Sequence, residues 1–332
     1  MNFFGFGKNK SIKKTPNKNT NKNTNKNTNK NTNPLVKPQH HNKTMNCSPN
    51  VKGYTISNDT CFTNDALIKI MKAYNKNNPN NLIKSNNPKL IFAELKIKLS
   101  KCVKEDCWLS QLPKSEQTYL DKYLFAPDKP QEWKKNANEW LSNIDIFAVL
   151  HQYEEKYKNF KLFGPTPIDF DTRLPEENKK CVEESICTFS LETQIKKGFN
   201  KIGIVFNLDK HNEPGSHWTS FFIDIENKFI FYFDSADNDI PPEVNELTKK
   251  IQLQGMQLSQ PIKFQVYNNK NHQHQHSNTE CGMYSLFFII TMLTSETEFD
   301  TNMSVSKKLR LFRNKKIPDK YVEKYRNIYF ND

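Results

Sequence analysis

Residues 271–293 read NHQHQHSNTECGMYSLFFIITML, a polar stretch that ends at Cys281-Gly282 and turns at once into eleven nearly uninterrupted apolar residues, 283–293. Only Ser285 and Thr291 relieve that run. A membrane span needs about 20 apolar residues, so this segment is too short to be one. It is instead expected to be a helix, apolar on all sides and therefore central and buried. A cysteine in the first turn of such a helix meets unsatisfied backbone N–H groups and the positive end of the helix dipole. Both favour the nucleophilic thiolate. Gly282 beside it would let a substrate backbone come close. Position alone still favours an inert, buried cysteine, and the residues upstream are what change the reading.

Those residues lie in a segment with strand character. Residues 202–208 are followed by the loop DKHNEPGS, then 218–225, a turn at Glu226-Asn227, and 228–233. The last two runs read as a hairpin. His217 stands at the start of one strand and Asp234 just past the end of its partner, so the two are expected to meet at one rim. Asp234 would then hold the imidazole while His217 deprotonates Cys281. Gln275, six residues before Cys281, can offer its amide to an oxyanion beside the Cys281 backbone N–H. Taken singly, His217 reads as a surface histidine, Asp234 as a turn residue and Gln275 as a solvated loop residue. His272, His274 and His276 alternate, but no carboxylate or cysteine joins them at matching spacing, so a solvated polar loop is expected there and no metal.

Further out, 332 residues carry 49 Lys+Arg against 36 Asp+Glu, a net charge of +13. Ten of the lysines, with no Asp, Glu or Arg, fall in residues 1–46, where NKNT repeats from Asn17 to Thr32. A polar four-residue repeat has no apolar face to fold around, so 1–46 is expected to be a disordered basic tail. Without arginines or interleaved aromatics it lacks base-reading chemistry, and only weak, salt-sensitive contact with nucleic acid is expected. The opening MNFFGFGKNKSIKK has no apolar core of the signal-peptide kind, so secretion is not indicated.

Residues 47–130 read as a helical domain, with helices over 66–74, capped by Asn64 or Asp65, and over 89–103 behind Asn87-Pro88. A third helix is expected over 139–157, and a charged helical region over 319–329. Residues 261–267 read as one more strand. The seven cysteines (47, 61, 102, 107, 181, 187, 281) are an odd number, which suits a reducing compartment, each one a small buried hydrophobe or a reactive thiol. Cys102-x4-Cys107-Trp108 is half a zinc site with no second half nearby, so core packing is expected.

His217-Trp218, the FYFDSAD segment around Asp234, and Gln275-x5-Cys281-Gly282 resemble the His–Asp–Gln–Cys signature of the SUMO-protease/adenain superfamily of cysteine peptidases. Trp140-Leu141-Ser142-Asn143 is similar to that family's Trp-Leu-Asn-Asp element, departing from it at Ser142 and Asn143. Together with the helical leader, the chain looks most like the polyprotein-processing proteases of large cytoplasmic DNA viruses, of the African swine fever virus and mimivirus kind.

The resemblance implies an α+β, papain-like core over 131–332: a mixed sheet with a buried central helix bearing the cysteine. It also implies a tunnel in which Trp140 and Trp218 sandwich a glycine segment. The expected activity is a thiol endopeptidase, without cofactor and acting as a monomer. It would cleave viral structural precursors at Gly-Gly-X or Gly-X-Gly sites in the virion and at cytoplasmic assembly sites. A deSUMOylating or deubiquitinating isopeptidase is the alternative within the chemistry. A non-catalytic virion component with a nucleic-acid-binding tail is the alternative outside it.

Overall fold

The computed structural model describes residues 45–175 and 179–332. The expected tail, 1–46, lies outside them except for Met45 and Asn46, and these two are folded in. Met45 is buried in the leader core, and Asn46 donates its N–H to Asn331 Oδ1 at 2.6 Å.

In the leader, α1 (Asn64–Asn77), α2 (Pro88–Lys98) and α3 (Lys114–Leu124) gather around Phe62, Trp108, Leu124 and Phe125. The cap of α1 is Thr63, whose hydroxyl accepts from the Ala66 N–H, rather than Asn64 or Asp65. Asn87 and Pro88 open α2 as their types dictate. It stops at Lys98, short of the expected 103.

Six cysteines pair, Cys47–Cys61, Cys102–Cys107 and Cys181–Cys187, with Cα–Cα separations of 5.1, 5.5 and 6.3 Å. These spans suit a disulfide. The core packing expected of Cys102 and Cys107 is thereby corrected: they pair with each other, Cys102 half-buried and Cys107 exposed. The odd count is three pairs plus Cys281, the one free thiol among the described residues, and it carries no argument about compartment.

The chain continues with α4 (Asn143–Lys156), β1 (Phe160–Pro167), a small antiparallel ribbon of β2 (Arg173–Leu174) and β3 (Lys180–Cys181), α5 (Glu184–Cys187) and α6 (Leu191–Lys196). Then come β4 (Lys201–Asn207), β5 (Trp218–Asp224), β6 (Phe229–Phe233), α7 (Pro242–Gln257), β7 (Gln265–Asn268) and α8 (Cys281–Thr294). Three helices close the chain, α9 (Val305–Asn314), α10 (Asp319–Glu323) and α11 (Arg326–Tyr329). A break after Glu323 thus divides the expected 319–329 helical region in two.

The main sheet has the order β1-β4-β5-β6-β7. Its outer pairs are parallel and its inner pairs antiparallel, which makes it mixed. Phe229, Phe231 and Phe233 face α8, whereas Ile230 and Tyr232 face α7. With both faces covered, every residue of β5 and β6 is buried, which is why these strands read as continuous apolar runs rather than alternating ones. Helix α8 lies between the sheet and a layer containing α4, α9 and the C-terminal aromatics, so its apolar character on all sides is satisfied.

Three sequence expectations change here. α4 begins at Asn143, not 139: Ser142 accepts from the Asp145 N–H, and Asp145 reaches back to the Ser142 N–H at 2.8 Å, a reciprocal cap. Trp140 and Leu141 therefore lie on the loop before the helix. The strand expected over 261–267 is confined to Gln265–Asn268. Lastly, 268–280 is solvated only in part: His272 and His276 are exposed as expected, but Asn269, His274, Gln275 and Glu280 are buried. His274 is fully buried, accepting the Ile317 N–H at Nδ1 (3.2 Å) while Nε2 meets the Phe312 carbonyl (2.9 Å). Burial lowers its pKa, so the ring serves as a neutral tie.

Candidate active site

The β5–β6 register pairs Ser220 with Phe233, so the residues just outside that ladder, His217 and Asp234, share one rim. They meet there, His217 Nε2 lying 2.6 Å from Asp234 Oδ1. Asp234 is fully buried. Its Oδ1 also accepts the Ala236 N–H (2.8 Å), and Oδ2 accepts the Asn238 amide (3.0 Å). Asn269 clamps its backbone from both sides, accepting the Asp234 N–H (3.1 Å) and donating to the Asp234 carbonyl (2.7 Å). Asn269 was not singled out from sequence, where a lone asparagine in a polar stretch gives no signal.

Cys281 is the first residue of α8 and is buried, and it interacts with the His217 ring. Asp234 occupies Nε2, which assigns that nitrogen its proton and leaves Nδ1 for the sulfur. Burial alone would lower the His217 pKa. Hydrogen bonds to Asp234 and Cys281, together with their charges, outweigh it and push the value up to about 10. The imidazole is thus protonated at neutral pH, and a positive charge stands beside the sulfur.

Gln275 is buried rather than solvated. Its Oε1 accepts the Ser235 hydroxyl (2.7 Å), and its backbone N–H donates to the Ser235 carbonyl (2.8 Å). Nε2 donates to the Ser277 carbonyl (2.6 Å). Ser235, the residue after Asp234, thereby fixes which end of the amide is the donor. One of its two N–H groups is committed to Ser277.

Gly282 has a packing reason as well as the expected substrate one. A Cβ there would lie 3.0 Å from Leu141 Cβ and 3.3 Å from its Cδ1, so Leu141 would have to give way, with Trp218 Cδ1 at contact distance, 3.4 Å. Leu141 in turn accepts the Trp218 indole N–H at its carbonyl (2.9 Å). The Trp140-Leu141 loop, the start of β5 and the start of α8 are therefore in mutual contact. Trp218 is buried, whereas Trp140 is 37% exposed. Both line one groove of about 1000 Å³ that also takes in Pro165, Thr166, Pro167 and the 207–215 loop.

Residues 197–329 match the family model of the Ulp1 protease family, C-terminal catalytic domain. A thiol protease of Acanthamoeba polyphaga mimivirus is 28% identical over 313 residues, 86% of this chain and 93% of that one. A cysteine protease of African swine fever virus is 28% identical over 187 residues, covering 54% of this chain and 68% of its own length. The crystal structure of the African swine fever virus protease shares the fold, with a TM-score of 0.56 and 21% identity over 87% of this chain and 96% of that one. The expected superfamily is the one matched, and the non-catalytic alternative is set aside. On these matches the chain is a cysteine protease whose residues 197–329 are similar to the catalytic domain of the Ulp1 family.

Proposed function

We propose that the protein is an endopeptidase that cuts precursor polypeptides at glycine-containing sites of the Gly-Gly-X or Gly-X-Gly kind, with viral structural precursors as substrates during virion maturation. The observation that carries this reading is the pair Trp140 and Trp218 on one groove, where Trp218 directly follows His217 and packs towards Gly282, the residue after Cys281. Two flat indoles bounding a slot admit a glycine backbone and exclude side chains. The Cys281 thiolate attacks the scissile carbonyl, and the backbone N–H of Cys281 with the Gln275 amide stabilises the oxyanion. His217 gives its proton to the departing amine, leaving a thioester on Cys281. A water deprotonated by His217 then releases the acid. Asp234 holds the ring so that Nδ1 faces the sulfur. Both products stay in a virion or a cytoplasmic assembly site on this reading. Among the described residues no helix is long and apolar enough to cross a membrane.

The test is incubation of the wild type and Cys281→Ser with candidate capsid precursors, with terminal sequencing of the products. New termini at glycine sites with the wild type alone support the reading, and termini elsewhere contradict its specificity. An isopeptidase acting on ubiquitin-like proteins is the second reading. It is favoured by the Ulp1 family model and by African swine fever virus relatives that carry the name SUMO-1 cysteine protease. Release of a fluorophore from SUMO or ubiquitin conjugates, but not from glycine peptides, would establish it instead.

A further inference from the structure

Glu280, the residue immediately before Cys281, is fully buried, and so is its partner Arg326 on α11, at 5% exposure. Arg326 Nε donates to Glu280 Oε2 (3.1 Å) and Nη2 to Glu280 Oε1 (2.8 Å), a forked pair. The same guanidinium reaches the other way. Nη1 donates to the carbonyls of Glu139 (2.9 Å) and Ala137 (3.4 Å), and Nη2 to those of Asn138 and Thr279 (3.4 and 3.3 Å). Its plane lies 4.3 Å over the Trp133 ring, whose indole N–H donates to the Glu139 carbonyl as well (2.9 Å). One side chain thus bonds the residue before the nucleophile and the three residues before Trp140.

A buried ion pair is a poor stabiliser, because the cost of taking two charges out of water offsets their attraction. Retention of this one is better explained by geometry. The planar fork spans two chain segments at fixed angles, which a lysine cannot do. The positive charge also cancels a carboxylate that would otherwise stand unpaired one residue from the sulfur, at the same helix end.

We propose that Arg326 is a positioning residue that locks the Cys281 turn and the Trp140-Leu141 substrate loop in register, with Glu280 as its anchor on the nucleophile side. The substrate-loop half of this proposal rests on the glycine-groove reading above. The Cys281 half does not.

The test uses full-length protein carrying Glu280→Gln, Arg326→Lys, or Glu280→Gln together with Arg326→Met. Two readouts separate the two contacts: the rate of Cys281 alkylation by iodoacetamide, and the concentration of a Gly-Gly peptide that half-protects Cys281 from it. Glu280→Gln keeps the carbonyl contacts, so protection stays near the parent's while alkylation slows about tenfold. Arg326→Lys keeps a charge for Glu280 but loses the fork over 137–139, so the half-protecting concentration rises about tenfold and alkylation changes less. The double variant replaces a buried ion pair with an uncharged pair, a change that folds tolerate, and it shows both losses. A folded double variant with parental values in both readouts overturns the proposal. So do single-variant losses that are equal in the two readouts and follow the unfolded fraction. A parent that the peptide does not protect contradicts the glycine-groove reading, and the alkylation rates still decide the role of Glu280.

Discussion

The two sides of the site are built differently. His217 and Asp234 stand at the ends of paired strands, and regular ladder geometry brings them together across 17 residues. Gln275, Glu280 and the Trp140-Leu141 loop stand on irregular backbone. They are held by side chains from afar: Ser235 for Gln275, Trp218 for Leu141, and Arg326 for Glu280. A strand rim needs only its hydrophobic pattern to be in register. A buried loop needs each polar group paired by a specific partner, so it depends on residues that local sequence does not reveal.

That contrast can be broken at several points. The largest expected effect is at Gln275, where Gln275→Ala removes both the loop tie and the oxyanion donor. If the Gln275 amide is the oxyanion donor proposed above, the change should lower kcat about 10²-fold with KM little changed, read by steady-state peptide cleavage. An unchanged kcat would make Gln275 a loop brace only.

A smaller effect is expected at Trp218, compared with a tryptophan outside the site. Trp218→Ala should raise KM for glycine peptides about tenfold or more through lost groove contacts. Trp108 stacks on Phe62 in the leader core at 5.2 Å. Trp108→Ala should instead cost roughly 3–5 kcal/mol of stability in denaturant unfolding, with KM near the parent's. Equal KM changes would count against the groove.

The smallest expected effect is a shift in pH dependence. With the His217 pKa at about 10, the proton needed by the leaving amine is present below that pH, and kcat/KM should fall on an alkaline limb near it. Asp234→Asn weakens a hydrogen bond and removes a charge that raise the pKa, so the limb should move to lower pH. An unmoved limb would show that Asp234 does not act through the imidazole. Stability follows the same sign. The His217 contribution is complete below its ordinary value of 6.5 and is lost as pH rises towards 10.

Much of the fold was legible because its central pieces carry strong local patterns. The apolar run after Cys281 became α8, and the 218–225 and 228–233 runs became β5 and β6 to within one residue at each end. β1 was not legible: Gly164-Pro165 interrupts its pattern, and the strand absorbs them at a register shift between Phe163 and Thr166 on the sheet edge. The disulfides were hidden for another reason. Cysteine spacing along the chain does not show which Cα atoms end near one another. Most of the loop side of the site was hidden in the same way, since Glu280 and Arg326 lie 46 residues apart. The reading of 272–276 as solvated missed that His274 ties this segment to Phe312 and Ile317.

The central claim is that His217 activates Cys281. The direct measurement is the rate of iodoacetamide alkylation of Cys281 at pH 7 in the wild type and in His217→Ala, with labelled peptides mapped by mass spectrometry. The account predicts a drop of about 10²-fold or more in the variant, with Cys281 the main labelled residue in the wild type. Equal rates in the two proteins would contradict it.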